Sequence, residues 1–176
     1  FISVQAQDKI TNKEGSDYEF TVVTDIEATD VESQGRTGTC WSFSALSFIE
    51  SEIMRLGGGK HKLSEMFIVR NTYSDKAERY VRMHGNLNFG PGGAFHDVSE
   101  MIKAHGIVPL EAYTGRPANE EKFNHGEMDH VLLGMVKAVV DAEQETLTPL
   151  WKPAYEAVLD TYLGEMPSEF TYKGKK

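Results

Sequence analysis

The 176-residue chain contains a single cysteine, Cys40. An intramolecular disulfide is therefore impossible, which excludes the small folds that depend on such cross-links. A zinc site built from a Cys/His cluster lacks its ligands as well. His125 and His130 are five apart, whereas side chains three or four apart share a helix face, so no metal site is expected. Basic charge is scarce: 18 Lys and Arg stand against 27 Asp and Glu, for a net charge of -9. Binding to nucleic acid through its phosphates is not expected. No apolar run is long enough to span a membrane, and the chain shows neither internal repeats nor low-complexity tracts.

Hydrophobic residues make up 40% and charged residues 26% of the chain, which suits a globular domain with a real core. The acidic excess is concentrated: residues 120–165 hold ten acidic residues against Lys122, Lys137 and Lys152. That distribution reads as solvated helical faces. At the N-terminus, Phe1-Ile2-Ser3-Val4-Gln5-Ala6 offers two readings. It resembles the end of an export signal, with Val4 and Ala6 flanking a cut before Gln7, or it is a short leader. The first implies an exported, periplasmic protein and the second leaves a cytoplasmic one.

The chemistry gathers around Cys40, in Ser33-Gln34-Gly35-Arg36-Thr37-Gly38-Thr39-Cys40-Trp41-Ser42-Phe43-Ser44. A lone Cys is most often a small buried hydrophobe. Here a Gln lies six residues before it, a Gly two before, and Trp41 directly after, where an apolar helical run begins. A thiol in the first turn of a helix meets unpaired N–H groups and the positive end of the helix dipole, which favour the thiolate. Gln34 is spaced to lend a side-chain N–H to the oxyanion formed when that thiolate attacks a carbonyl.

The surrounding elements read as follows. Tyr18-Glu19-Phe20-Thr21-Val22-Val23 is β-prone. A first helix is predicted over 39–56, with Phe43, Leu46, Ile49, Ile53 and Leu56 as its apolar stripe and Gly57-Gly58-Gly59 as its stop. Ser64 is a good N-cap for a second, shorter helix. The Gly-rich loop 85–93 leads into a third helix, from about Ala94 to His105, whose face is Phe95, Val98, Ile102 and His105 and whose stop is Gly106. The loop lacks the Lys-Ser/Thr of a phosphate-binding loop. By itself it reads as a helix-entry turn. Residues 106–113 read as extended. Two more helices follow within 117–164, with stripes Met128, Val131, Met135, Val139 and Trp151, Tyr155, Val158, Tyr162. Thr148-Pro149 is read as the N-cap and first turn of the last.

Thr37-Gly38-Thr39-Cys40-Trp41 resembles the nucleophile signature of papain-like cysteine peptidases, Cys-Gly-Ser/Ala-Cys-Trp/Tyr. The Leu63-Ser64-Glu65 helix start, the Gly92-Gly93 loop and the run from Gly106 to Tyr113 follow in that family's order, over roughly residues 30–115. Thr37 stands where the signature has its first Cys. That departure and the long helical segment after residue 116 are similar to the bleomycin hydrolase and aminopeptidase C branch. The resemblance implies an α+β fold: a mainly helical N-terminal lobe carrying a helical insertion, with the β-rich second lobe absent from this chain. It divides the chain into a leader and extended segment at 1–29, a nucleophile lobe at 30–116, an insertion at 117–170 and a tail at 171–176. It implies Cys40 as nucleophile, Gln34 in the oxyanion hole, Trp41 packed at the site, and Gly92 and Gly93 along a peptide substrate. No cofactor is expected, and the branch implies a homo-oligomer, a hexamer.

Papain-like chemistry also needs a His and an Asn, about 130–150 residues after the Cys. None of His61, His84, His96, His105, His125 and His130 sits in such a context, so both are expected to lie outside this chain. The leading functional reading is thiol-dependent peptide-bond hydrolysis. The alternatives are a non-catalytic peptide-binding or assembly module and a transglutaminase-like acyl transferase.

Overall fold

The computed structural model describes residues 10–116, 121–143 and 145–173. The candidate signal remnant at 1–6 and the end of the basic tail lie outside them. Among the described residues the elements are a two-stranded antiparallel ribbon, β1 (Ile10–Thr11) and β2 (Glu19–Phe20), and five helices: α1 (Cys40–Arg55), α2 (Glu65–Arg82), α3 (Phe95–His105), α4 (Gly126–Asp141) and α5 (Trp151–Leu163). Ile10 faces Phe20 in the ribbon register. The molecule is thus mostly helical with a small sheet.

Local chemistry sets the helix boundaries. Ser64 Oγ accepts from the Phe67 N–H at 3.1 Å, satisfying a first-turn donor of α2. The same hydroxyl donates to the Tyr113 carbonyl at 2.6 Å, and the Ser64 N–H donates to Val108 O at 3.0 Å. The segment after α3 is thereby stitched to the start of α2 through a bridge between Leu63 and Pro109. It is extended only this far, then turns at 110–112. Gly106 ends α3 with φ +77°, a left-handed conformation that favours glycine.

The helix that organises the core is α2, not α1. It packs against α1, α3, α4 and α5, whereas α1 meets only α2 and α3. With 18 residues against 16, α2 is also the longer of the two. Its apolar pattern fades after Val69, but the polar residues that follow are buried with partners. Arg70 Nη2 meets Asp160 Oδ1 at 2.6 Å, and Ser74 Oγ donates to Glu156 Oε1 at 2.7 Å. The Tyr73 hydroxyl donates to Asp129.

The expected stripes hold in part: Met135 and Val139 of α4 and Trp151, Val158 and Tyr162 of α5 pack against the core, but the fully buried lines are rotated from them. On α4 the buried line is Met128, Leu132 and Val136, and Val131 is 37% exposed. On α5 it is Tyr155, Leu159 and Leu163, and the helix starts at Trp151, after Thr148-Pro149, with Leu150 as its N-cap. On α3, Val98 and Met101 are buried, and Phe95 lies half open to solvent. Leu56 lies past the end of α1 and is exposed.

Candidate active site

Cys40 is the first residue of α1 and is exposed. No side chain caps this end and no acidic residue lies in the first turn. The first main-chain bonds closing the turn run from Ser42 and Phe43 N–H to Thr39 O. The N–H groups of Cys40 and Trp41 have no partner among the described residues, so the positive end of α1 opens beside the thiol.

The loop leading to Cys40 is held from both sides. Within it, Gln34 Nε2 donates to Thr37 O at 2.7 Å, and Thr37 Oγ1 donates back to Gln34 O at 3.0 Å. Thr37 and Thr39 also join their hydroxyls at 2.5 Å. Thr37, at the position of the missing cysteine, thus ties the loop by hydrogen bonds. One Gln34 N–H is engaged in this turn, and the other has no partner among the described residues. Outside the loop, Arg36 N–H donates to Phe123 O at 2.9 Å and His125 N–H donates to Arg36 O at 3.1 Å, forming a parallel bridge to residue 124. Gly35 has φ +59°, and a Cβ there would stand 2.4 Å from Phe123 O, so close approach requires glycine.

The Gly-rich loop meets this unit through Trp41. The indole Nε1–H donates to Pro91 O at 2.9 Å. The ring covers Gly93, where a Cβ would come within 2.7 Å of ring carbons. Gly38, two residues before Cys40, faces Pro91, whose Cγ would be 2.6 Å from a Cβ at Gly38. Gly92 is open, with nothing within 4 Å of a Cβ. The N–H and C=O of Gly93 carry no hydrogen bond among the described residues. The five expected site residues therefore fall on two joined segments: Gln34, Cys40 and Trp41 on the loop that enters α1 and on its first turn, Gly92 and Gly93 on the Gly-rich loop.

No imidazole hydrogen-bonds to the Cys40 thiol among the described residues. His61 bonds to Tyr172 Oη and Gly58 O. His96 and His105 lie beside Asp97 and Asp75, and His130 bonds to Gly126 O. His125 is buried with both ring nitrogens unpartnered, and burial pushes its pKa down to about 4. The described residues contain no group of three or more His, Cys, Asp or Glu side chains able to hold a metal. No helix among them is long and apolar enough to cross a membrane.

Sequence reasoning marked Thr37 only as a departure from the signature, and it did not single out the segment 123–125 or Lys76 of α2 as supports of the site. Lys76 Nζ donates to the carbonyl of Gly90 at 3.0 Å and to that of Gly92. A lysine in mid-helix gives no sign in the sequence that it faces a loop rather than water.

Residues 19–150 match the family described as papain family cysteine protease. Among solved structures, the chain is similar to the crystal structure of PepW from Lactobacillus rhamnosis HN001 (DR20), determined as the selenomethionine derivative. The two have a TM-score of 0.57 and 20% identity, with 86% of this chain and 40% of that chain covered. The present chain thus spans well under half the length of that protein. No curated protein matches.

Proposed function

The chain belongs to the papain family of cysteine proteases and has a papain-like fold, and from that premise we propose that it carries the nucleophile of an aminopeptidase C or bleomycin hydrolase-type peptidase. Cys40 Sγ attacks the scissile carbonyl carbon. The negative charge developing on oxygen is met by the Cys40 N–H and the free N–H of Gln34. Collapse of that intermediate breaks the C–N bond, and the leaving amine takes a proton. Water then cleaves the thioester and releases the acid. The imidazole that accepts and returns the proton, and the Asn that orients it, are supplied from outside these 176 residues. Peptide is the substrate class, and a homo-oligomer belongs to the same reading.

The observation that carries it is the seam at Trp41. An exposed thiol at an open helix N-terminus is joined, through one indole, to a glycine whose main chain is free to pair with an extended peptide. The branch rests on less: Thr37 at the cysteine position, and the α4–α5 pair following the nucleophile lobe. The test is Cys40→Ala in the assembled, peptide-cleaving protein. Turnover should vanish with the fold intact, and retained turnover removes Cys40 from the mechanism. The rate of Cys40 alkylation by iodoacetamide against pH adds the second half. An apparent pKa below about 7 marks a thiolate with a cationic partner. In the chain by itself, alkylation that persists in acid would mean that a cation within these residues pairs with the thiolate, and would overturn an imidazole supplied from elsewhere.

A further inference from the structure

Three successive carbonyls of the Gly-rich loop are taken up from beneath. Lys76 of α2 donates to Gly90 O at 3.0 Å, Trp41 of α1 donates to Pro91 O at 2.9 Å, and Lys76 donates again, to Gly92 O. On the far side, the Ala94 N–H donates to Asp97 Oδ2 at 2.7 Å, at the start of α3. Gly93 stands between these anchors with its own N–H and C=O free.

We propose that Lys76 is a positioning residue of the peptide groove, an ammonium clamp that fixes the carbonyls of Gly90 and Gly92 so that Gly93 presents its main chain to substrate. The proposal rests on the groove reading given above. Its physical basis is the donor geometry of lysine. One ammonium carries three N–H donors on a flexible stem, so a single side chain reaches two carbonyls two residues apart. Bonds from a charged donor are stronger than neutral ones, and here the cation lies in the partly buried space between α2 and the loop. Burial pulls its pKa down, and Asp97 opposes the fall. The cation is thus placed against its desolvation cost, and loop order is the return for that placement. In a chain with one cysteine, no disulfide can do this work.

The experiment compares the wild-type chain with Lys76→Met, which keeps the stem and loses the donors, and Lys76→Arg, which keeps the charge. Hydrogen exchange at the buried Trp41 indole N–H, which is bonded to Pro91 O between the two clamped carbonyls, reads loop order. The ratio of Cys40 labelling by a peptidyl chloromethyl ketone to labelling by iodoacetamide reads the groove, since only the first reagent needs it. Lys76→Met should speed exchange about tenfold, the factor for one net hydrogen bond of ordinary strength. The labelling ratio should fall by a similar factor, with the iodoacetamide rate unchanged within about twofold, and Lys76→Arg should recover much of both. Should Lys76→Met fail to fold, Lys76→Gln carries the same comparison. Unchanged exchange in the neutral variant overturns the clamp. Faster exchange with an unchanged ratio overturns the positioning role. A wild-type chain showing no preference for the peptidyl reagent sinks the groove reading, while exchange still decides the clamp.

Discussion

Gly93 lies directly against the indole of Trp41: a Cβ there would stand 2.7 Å from two ring carbons, while one on Gly92 would meet nothing within 4 Å. Neighbouring glycines are thus under opposite constraints. Gly93→Ala must shift Trp41 or the loop, at a cost of about 1–3 kcal/mol by analogy with overpacked cores. Gly92→Ala should stay within about 0.5 kcal/mol. Urea unfolding midpoints of the two variants check this, and equal costs would mean that the indole does not pin the loop.

The turn that carries Gln34 depends on Gly35 in a similar way, but through backbone. Its φ is +59°, and the atom a methyl would meet is the Phe123 carbonyl oxygen, at 2.4 Å. That oxygen accepts from Arg36 and cannot swing aside without breaking the bridge. Gly35→Ala combines left-handed strain of about 1–2 kcal/mol with loss of that bond. It should destabilise the chain by about 2–3 kcal/mol. Gly15, with φ +73° and open space around it, is the control: alanine there should cost only the backbone strain, about 1–2 kcal/mol.

How much of this was readable beforehand depended on whether the signal was local. The start of α2 at its N-cap Ser64 and the stop of α3 at Gly106 were, because capping and left-handed glycine are properties of a few adjacent residues. The nucleophile loop and Gly-rich loop were recognisable as motifs, and the structure brings them together. The length of α2 was not readable, because Arg70, Asn71, Thr72 and Ser74 look like surface residues until Asp160 and Glu156 of α5 arrive to receive two of them. The faces of α4 and α5 were readable only in part for a related reason: Met128 and Tyr155 are buried and Met135, Val139, Trp151, Val158 and Tyr162 pack against the core, but only docking on α2 chooses Leu132 over Val131. Lys76 was invisible in the same sense, since its partners are carbonyls fourteen and sixteen residues away.

The Arg70–Asp160 pair tests whether α5 is held by that polar contact. Arg70 Nε and Nη2 reach the same carboxylate oxygen at 2.9 and 2.6 Å, and the Arg70 side chain is the more deeply buried of the two. Removing Asp160 leaves a guanidinium without its counter-ion in the core, and Asp160→Ala should cost about 3 kcal/mol. Arg70→Met should cost less, because the half-open carboxylate can return to water. The double variant should be more stable than Asp160→Ala alone. A double-mutant cycle by chemical denaturation measures the coupling, and additive costs would show that the pair contributes little.

Glu65 and His125 give the stability of the chain a pH dependence with two opposing limbs. Glu65 is 5% exposed. Burial, then the charges of Glu50 and Glu32 against that of Lys62, push its pKa up to about 7 from 4.5. The folded state therefore holds this proton more tightly, so its contribution is complete below about 4.5 and is lost as pH rises through about 7. His125 is 4% exposed, and burial alone pushes its pKa down to about 4 from 6.5. The folded state resists protonation there, so its contribution is complete above about 6.5 and is lost as pH falls through about 4. Each shift corresponds to about 3 kcal/mol at 1.36 kcal/mol per unit. Between about pH 4.5 and 6.5 the two slopes have opposite signs and largely cancel. Glu65→Gln should expose the His125 limb, so that stability climbs steeply from pH 4 to 6.5. His125→Phe should expose the Glu65 limb, so that stability declines from pH 4.5 to 7. Unfolding midpoints across pH 4 to 8 read both directly. Profiles for the two variants that run parallel to the wild type would mean that neither group keeps its buried protonation state in the folded chain.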